Sequence, residues 1–540
     1  MSSFVFNGLS QMNSSVHSKH LQSILPTSWT ERISPSSVKM ASYLLILAVL
    51  VTLIRLVRTK QHLSEQGKPR EPPVIHTNLW QFWKNGTQIL DALAAENMHK
   101  FPHGIFTVSV FGWKIYVVNS PEMTQVIQAR SRFTGLGWIS ILVMANMGGH
   151  GKQATQRLFK GVERGDVGNA LGFVHDYHKV ELRAMSLGTS LDAMEVDFVA
   201  AWDPFIESLK ASLQSGNAKL DVWEWFKMSI TVSVSRGVWG PKSPYCNNPI
   251  LWEQFWTFNR SYNLLRYKFP GIFARRGAEA REKVVDAFVD FDENGGFDNA
   301  SQLAQDRAKV LEKTGLEKRD VARMAMSQSV GQFDNSATVS FALLSFILRD
   351  PELLARIRKE LEEHVTKNED GRKVVDTLRI GKDCPLLLST FHEVLRWIAV
   401  GVTVRRIEKD YPLTIKSDNT EYFLRKGNFI WGSGVAIHTC PSFYKDADKF
   451  DPDRFMGVKY PETQMPDIFR AFGGGGNICL GRHFARTIVP GAVGTLLMAF
   501  DFEPFNGKPL CVPNRKDLML GHATPNPFGN TMATVKIRDG

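Results

Sequence analysis

The chain has 540 residues, 43% hydrophobic and 22% charged, with 25 Pro and 42 Gly. That balance excludes a disordered chain, a collagen-like repeat and a small disulfide scaffold. Lys and Arg (65) outnumber Asp and Glu (54) for a net charge of +11; no basic block interleaved with aromatics accompanies it, so the excess points to a membrane surface or an acidic partner and not to nucleic acid.

Residues 1–39 read as a polar, Ser-rich extension. The uncharged run Met40–Ile54 is roughly 22 Å long as a helix. A bilayer core is about 30 Å thick, and a snorkelling Arg55 adds Leu56 and Val57 to the span. No small-x-small cleavage site follows, so the segment 40–58 is predicted to be an uncleaved single-pass anchor and not a signal peptide. The basic flank Arg55, Arg58, Lys60, Lys68 and Arg70 outweighs Arg32 and Lys39, which leaves the large C-terminal part in the cytosol, at the endoplasmic reticulum membrane. Of the sequons at Asn13, Asn85, Asn259 and Asn299, that orientation exposes only Asn13 to glycosylation. Met40 also reads as a natural start, which would make residues 1–39 dispensable. Residues 59–74, with Gly67–Pro73 rich in proline, read as a stiff hinge.

No internal linker or repeat of 20–50 residues interrupts 75–540, which is predicted to be one domain. Ile105–Val118 alternates as a hairpin around Gly112. Helical stretches follow at Glu195–Leu213, Leu251–Leu265, Arg281–Asp292, Arg319–Leu348 and Pro351–Thr366, the last opened by Asp350 as N-cap and Pro351. Strand signals return at Tyr411–Ile415, Phe429–Trp431 and Met532–Ile537. The fold class is therefore mainly α with small β-sheets.

Five cysteines (Cys246, Cys384, Cys440, Cys479, Cys511) are widely spaced without a CxxC pair, which disfavours a disulfide framework or a structural zinc. Four read as buried thiols. Cys479 differs because it follows a glycine-rich loop, Phe472-Gly-Gly-Gly-Gly-Asn-Ile-Cys479-Leu-Gly481, whose backbone can approach a large planar object closely. An apolar helix begins at Gly481 and Ala485, so its dipole should favour the thiolate. A nucleotide loop is excluded by register, since GxGxxG does not fit and no GK[ST] follows.

Phe472, Gly475, Cys479 and Gly481 stand as F-x-x-G-x-x-x-C-x-G, which resembles the haem-thiolate loop of the cytochromes P-450. Glu393-Val-Leu-Arg396 resembles the family's E-x-x-R, and Phe450-Asp-Pro-Asp-Arg454-Phe455 its F-x-P-x-R-F, in the family's order. The resemblance covers about residues 70–540. It implies the P-450 fold with a single large haem domain behind an N-terminal membrane anchor, haem b as cofactor, and Cys479 as the axial thiolate. It further implies a buried triad of Glu393, Arg396 and Arg454 beneath the loop, and Arg405 on a haem propionate. Two residues before the cysteine, where the family often has Arg or His, stands Asn477, which removes one cation. For the family's W-x-x-x-R helix only His175 and Lys179 offer themselves, with a solvated helix face as the plainer reading.

On the oxygen side the family's acid–threonine pair falls on Asp334 and Asn335. Asp334 and Asn335 would deliver protons, though Asn335 in place of Thr resembles the branch of prostacyclin synthase and cholesterol 7α-hydroxylase, which holds isomerases and hydroxylases alike. The segments Gly135–Gly151 and Trp252–Phe273 lie where the family's substrate loop and lid helices would be, with core as the competing reading for both. The resemblance implies a monooxygenase acting on a lipophilic molecule, terpenoid, steroid-like or polyketide, of fungal secondary metabolism. Electrons would come from NADPH-cytochrome P-450 reductase, docked on basic residues such as Arg482 and Arg486. An isomerase or dehydratase needing no reductase, and a non-catalytic haem or lipid binder, are the alternatives.

Overall fold

The computed structural model describes residues 70–538, apart from 76, 78–87, 102, 111–112, 129–133, 136, 161–172, 215, 249, 266–273, 368–372, 416–417 and 519–521. The predicted extension 1–39, anchor 40–58 and most of the hinge 59–74 lie outside those residues. Among the described residues no helix is long and apolar enough to cross a membrane.

The helices that position the site are α1 (Phe173–Met185), α2 (Thr189–Ser212), α3 (Val222–Trp239), α4 (Leu251–Leu265), α5 (Arg275–Glu293), α6 (Lys318–Arg349), α7 (Pro351–Glu362), α8 (Pro385–Ile398) and α9 (Arg482–Ala499). Local chemistry sets their starts. Asp221 caps α3 by accepting from the amides of Trp223 and Glu224, both at 3.1 Å. Asp350 caps α7 in the same way, accepting from Glu352 and Leu353 at 3.0 Å with Pro351 in the first turn. Such caps satisfy amides that the helix itself leaves without partners.

Helix α6 is the axis of the molecule. It packs against α3, α5, α8 and α9 and against the helix Gly137–Gly148. The surplus of aromatics is spent around it: Tyr245 and Phe255 stand 5.1 and 5.0 Å from Phe333 of α6, and Trp239 stands 5.0 Å from Phe288. Phe255, Trp256 and Phe258 of the predicted lid are buried, so this part of it is core. Ile141, Ala145 and Met147 of the predicted substrate loop are buried too, on a helix.

The strands are β1 (Val74–Ile75), β2 (Ile105–Val110), β3 (Trp113–Val118), β4 (Thr134–Gly135), β5 (Ala218–Asp221), β6 (Thr403–Ile407), β7 (Phe429–Gly432), β8 (Phe500–Pro504) and β9 (Met532–Ile537). One mixed sheet runs β1-β2-β3-β7-β6-β4 and a second runs β8-β9-β5. In the first, Ile430 of β7 faces Arg405 of β6 across an antiparallel pair. The predicted hairpin is β2–β3, in register from Ile105↔Val118 to Val110↔Trp113.

The predicted boundaries shift where side-chain chemistry changes. The helix expected to run to Thr366 ends at Glu362, and Val365–Lys367 pairs with Lys373–Val375 instead. Two β-branched residues precede the turn-forming run Asn368-Glu-Asp-Gly371, a composition that favours a hairpin over a helical end. Helices α2 and α5 begin earlier than expected, at Thr189 and Arg275, and the strands β1, β4, β5, β6 and β8 were not predicted. From Glu71 onward the chain forms one compact unit.

Candidate active site

Helix α8 places Glu393 and Arg396 three residues apart, on one face, where side chains meet. Both are fully buried. The Arg396 Nε and Nη2 donate to the two Glu393 oxygens at 2.7 Å each. Arg454 Nε reaches the same carboxylate at 3.0 Å. The remaining donors find backbone: Arg396 Nη1 binds the carbonyls of His438 at 2.7 Å and Ala447 at 3.0 Å, and Arg454 Nη1 binds Lys445 at 2.6 Å. The amide of Asp451 donates back to Glu393 at 3.0 Å. A buried carboxylate facing two guanidinium groups is tolerated because every partner is hydrogen-bonded.

The segment carrying Arg454 is clamped from two further sides. Ser389 of α8 donates to the Pro452 carbonyl at 2.6 Å and accepts from the Phe455 amide at 3.0 Å. Phe450 stacks on Phe346 of α6 with centroids 4.1 Å apart and planes at 10°. The residues that the sequence singled out as Phe450–Phe455 thus tie α6 to α8.

The glycine-rich loop lies against this base. The amide of Arg470 donates to His438 Nε2 at 2.9 Å, and the His438 carbonyl already holds Arg396. The Cys479 amide donates to the Phe472 carbonyl at 2.8 Å and closes the loop. Gly473 and Gly475 turn it at φ 75° and 62°, conformations that favour glycine. A 3₁₀ turn, Gly475–Asn477, leads into Cys479, and Gly481 is the N-cap of α9.

Cys479 is exposed, yet enough protein surrounds it that burial is the main influence on its thiol and pushes its pKa up. Together these place the sulfur on a recess in the protein and not on its outer face. The Gly481 amide and the Arg482 charge act in the opposite, thiolate-favouring direction. The expected helix-dipole activation is thereby corrected: Cys479 precedes the cap, and burial outweighs the neighbouring donors. A partner with positive charge at the sulfur would reverse that balance.

Arg405 sits on β6, buried, with Nη1 donating to the Val404 carbonyl at 2.8 Å. Burial, with the charge of Arg470 nearby, pushes its pKa down to about 10. A recessed thiol, a loop of small residues beside it and a buried cation awaiting an anion fit an iron porphyrin with carboxylate side chains.

On α6, Asp334 is buried and doubly held. Its Oδ2 lies 2.7 Å from His522 Nδ1 and its Oδ1 accepts from Asn259 of α4 at 2.8 Å. Asn335 accepts from Thr524 at 3.1 Å and donates to the Gly331 carbonyl at 3.2 Å, so its amide oxygen and nitrogen each already have a protein partner. The sequon at Asn259 is closed to glycosylation by this burial.

Other sequence candidates fall elsewhere. His175 and Lys179 are exposed on α1, a solvated helix face. Arg486 is buried, stacked over Tyr460 at 3.7 Å, so it cannot present its charge to a docking partner; Arg482 donates to the Cys479 carbonyl at 3.0 Å. Sequence reading missed His522, Asn259, Thr524 and Arg470. His522 and Thr524 lie in a stretch without motif or periodicity, Asn259 was legible only as a sequon on a helical stretch, and Arg470, two residues before Phe472, carried a positional signal.

The family model described as Cytochrome P450 matches residues 260–527. The chain is 28% identical to the cytochrome P450 monooxygenase nodJ of Hypoxylon pulicicidum, over 79% of this chain and 81% of the relative. It is 24% identical to a cytochrome P450 monooxygenase of Gibberella zeae, over 81% of this chain and 82% of the relative. In fold it is similar to a retinoic acid-bound cyanobacterial CYP120A1, with a TM-score of 0.60 and 17% identity over 87% of this chain and 100% of that one.

Proposed function

We propose that the chain, a haem-thiolate oxidoreductase of the cytochrome P450 family, is a monooxygenase in which Cys479 is the axial ligand of haem b. The observation that carries this reading is the closed loop Phe472–Gly481, seated through Arg470 and His438 on the Glu393–Arg396–Arg454 triad, with its thiol on a recess. Cysteine-ligated haem supplies the reductive activation of dioxygen. In net terms one oxygen atom enters a C–H or C=C bond of the substrate and the other leaves as water, with an electron pair from an NADPH-dependent reductase and protons from solvent.

The chain's own residues divide the remaining work. The Gly481 amide and Arg482 hold negative charge at the Cys479 sulfur. Arg405 would bind a carboxylate edge of the cofactor. Asp334, fixed by His522 and Asn259, holds a proton position on α6, and Asn335 braces α6 against Thr524. A lipophilic substrate of secondary metabolism is part of this reading, for which the fungal monooxygenase relatives are the support. The apolar run 40–58 would hold the enzyme on the endoplasmic reticulum membrane with its catalytic part in the cytosol.

The test is the carbon monoxide difference spectrum of the dithionite-reduced protein. A strongly red-shifted Soret band establishes thiolate-ligated haem, and Cys479→Ala should abolish both that band and all turnover. A band retained in Cys479→Ala would overturn the assignment of the ligand. Product formation that depends on NADPH and reductase then separates a monooxygenase from an isomerase or dehydratase, which would turn over without either.

A further inference from the structure

Two arginines near the cysteine loop are buried without a contact ion pair among the described residues, and Asp467 acts on Arg470 only through its charge. Arg405 is 6% and Arg470 is 3% exposed, and among the described residues neither has a carboxylate at ion-pair distance. Arg405 spends one donor on its neighbour's carbonyl. Arg470 Nη1 donates to the Pro466 carbonyl at 2.9 Å, and its Nη2 is buried with no partner. The acid next in sequence, Asp467, is bound by Gln125 instead. Burial depresses both guanidinium pKa values, and Arg470 adds to the effect on Arg405. Like charges brought together in a dry setting are expensive unless an anion joins them.

The placement of Arg470 is deliberate at the backbone level. Its amide is held by His438, whose carbonyl is held by Arg396, so it is keyed to the same triad as the loop. Its guanidinium lies over Gly474: a Cβ there would stand 2.4 Å from Nη1 and 2.6 Å from Nη2. Any other residue at that position would require the guanidinium to move from this place. Asn477, meanwhile, carries no charge where a cation was expected.

We propose that Arg405 and Arg470 form a paired guanidinium socket for the two carboxylates of haem, Arg470 supplying the cation that the loop lacks at Asn477. This rests on the haem reading above. Arg470 acts by charge and hydrogen bonding to the cofactor's edge and takes no part in the chemistry at the iron.

The experiment reconstitutes the haem-free protein with iron protoporphyrin IX or with its dimethyl ester, which lacks the carboxylate charges. Loss of each porphyrin to an excess of haem-free globin is then followed by absorbance. Removing a charge-assisted contact should accelerate loss roughly 10–100-fold, so Arg470→Gln should lose iron protoporphyrin faster by that factor, with Arg470→Lys in between. The ester should leave the wild type and Arg470→Gln at equal rates. Equal acceleration for both porphyrins, or none for either, would overturn the proposal. If Arg470→Gln does not fold, the wild type alone decides: free acid and ester lost at the same rate overturns the socket. A wild type with no thiolate-type spectrum with either porphyrin overturns the haem reading itself. That outcome is distinct from normal ligation with an indifferent Arg470.

Discussion

The two sides of the site are held in different ways. Beneath the cysteine loop the side chains reach mostly for backbone: Arg396 and Arg454 donate to carbonyls at His438, Ala447 and Lys445, and Ser389 grips its segment at both a carbonyl and an amide. On α6 the contacts run between side chains drawn from distant segments, Asp334 with His522 and Asn259, and Asn335 with Thr524. Bonds to backbone fix the chain's path, whatever residue types line it. Bonds between side chains can be exchanged by single substitutions while the path stays. The first side is thus a scaffold, and the second is the place where a reaction can be retuned without loss of the fold.

Glu393→Gln gives the largest expected change in stability and the hardest blow to the scaffold. It leaves two buried guanidinium groups facing a neutral amide, and stranding a buried charge in this way costs about 3–5 kcal/mol. Denaturant unfolding should show that loss together with poor haem retention. A cost under ~1 kcal/mol would mean the triad adds little beyond packing.

Among the described residues of the scaffold, His392 departs from that pattern with both of its ring nitrogens. His392, beside Glu393 on α8, is fully buried among Phe391, Phe455 and Phe469, with neither ring nitrogen hydrogen-bonded. Burial, then the charge of Arg486, pushes its pKa down to about 3. The unfolded chain takes up this proton first, near pH 6.5, so the contribution is complete above that pH and is lost as pH falls toward 3. Within that window the residue should cost ~1.4 kcal/mol of stability for each unit of pH. His392→Phe should reduce the slope of the acid limb of the stability profile, leaving the part that the buried His438 and the half-buried His483 contribute. An unchanged limb would show that His392 is not the group responsible.

The contrast between the two sides also explains what the sequence revealed. The triad and loop are legible because each piece is a short run with fixed internal spacing, as in Glu393–Arg396 on one helical turn, and because bonds to backbone need only the right residue at the right place. The hairpin β2–β3 and helix α4 were legible from periodicity and length. Asp334 and Asn335 could be placed through the family resemblance. Their partners could not: His522 lies 188 residues from Asp334 in a stretch without periodicity, and Asn259 sat inside what read as an aromatic lid. Arg486 misled because a basic residue on the first turns of an otherwise apolar helix gives no sign of Tyr460 lying beneath it.

The smallest expected effect tests the adjustable side directly. If Asp334 and His522 act as a pair, Asp334→Asn and His522→Gln should each destabilise, and the double variant should cost less than their sum. Adjacent groups in one network couple by about 0.5–3 kcal/mol. A buried bond of 2.7 Å between an acid and an imidazole belongs in the upper half of that range. Unfolding of all four proteins above pH 6.5 measures the coupling clear of the His392 limb. Additive costs would mean that Asn259 alone holds Asp334 and that His522 is merely packed beside Tyr262, whose ring lies 5.3 Å away. A coupling of the expected size, with thiolate-type haem spectra unchanged in every variant, would show that α6 can be rewired while the cysteine side stays as it is.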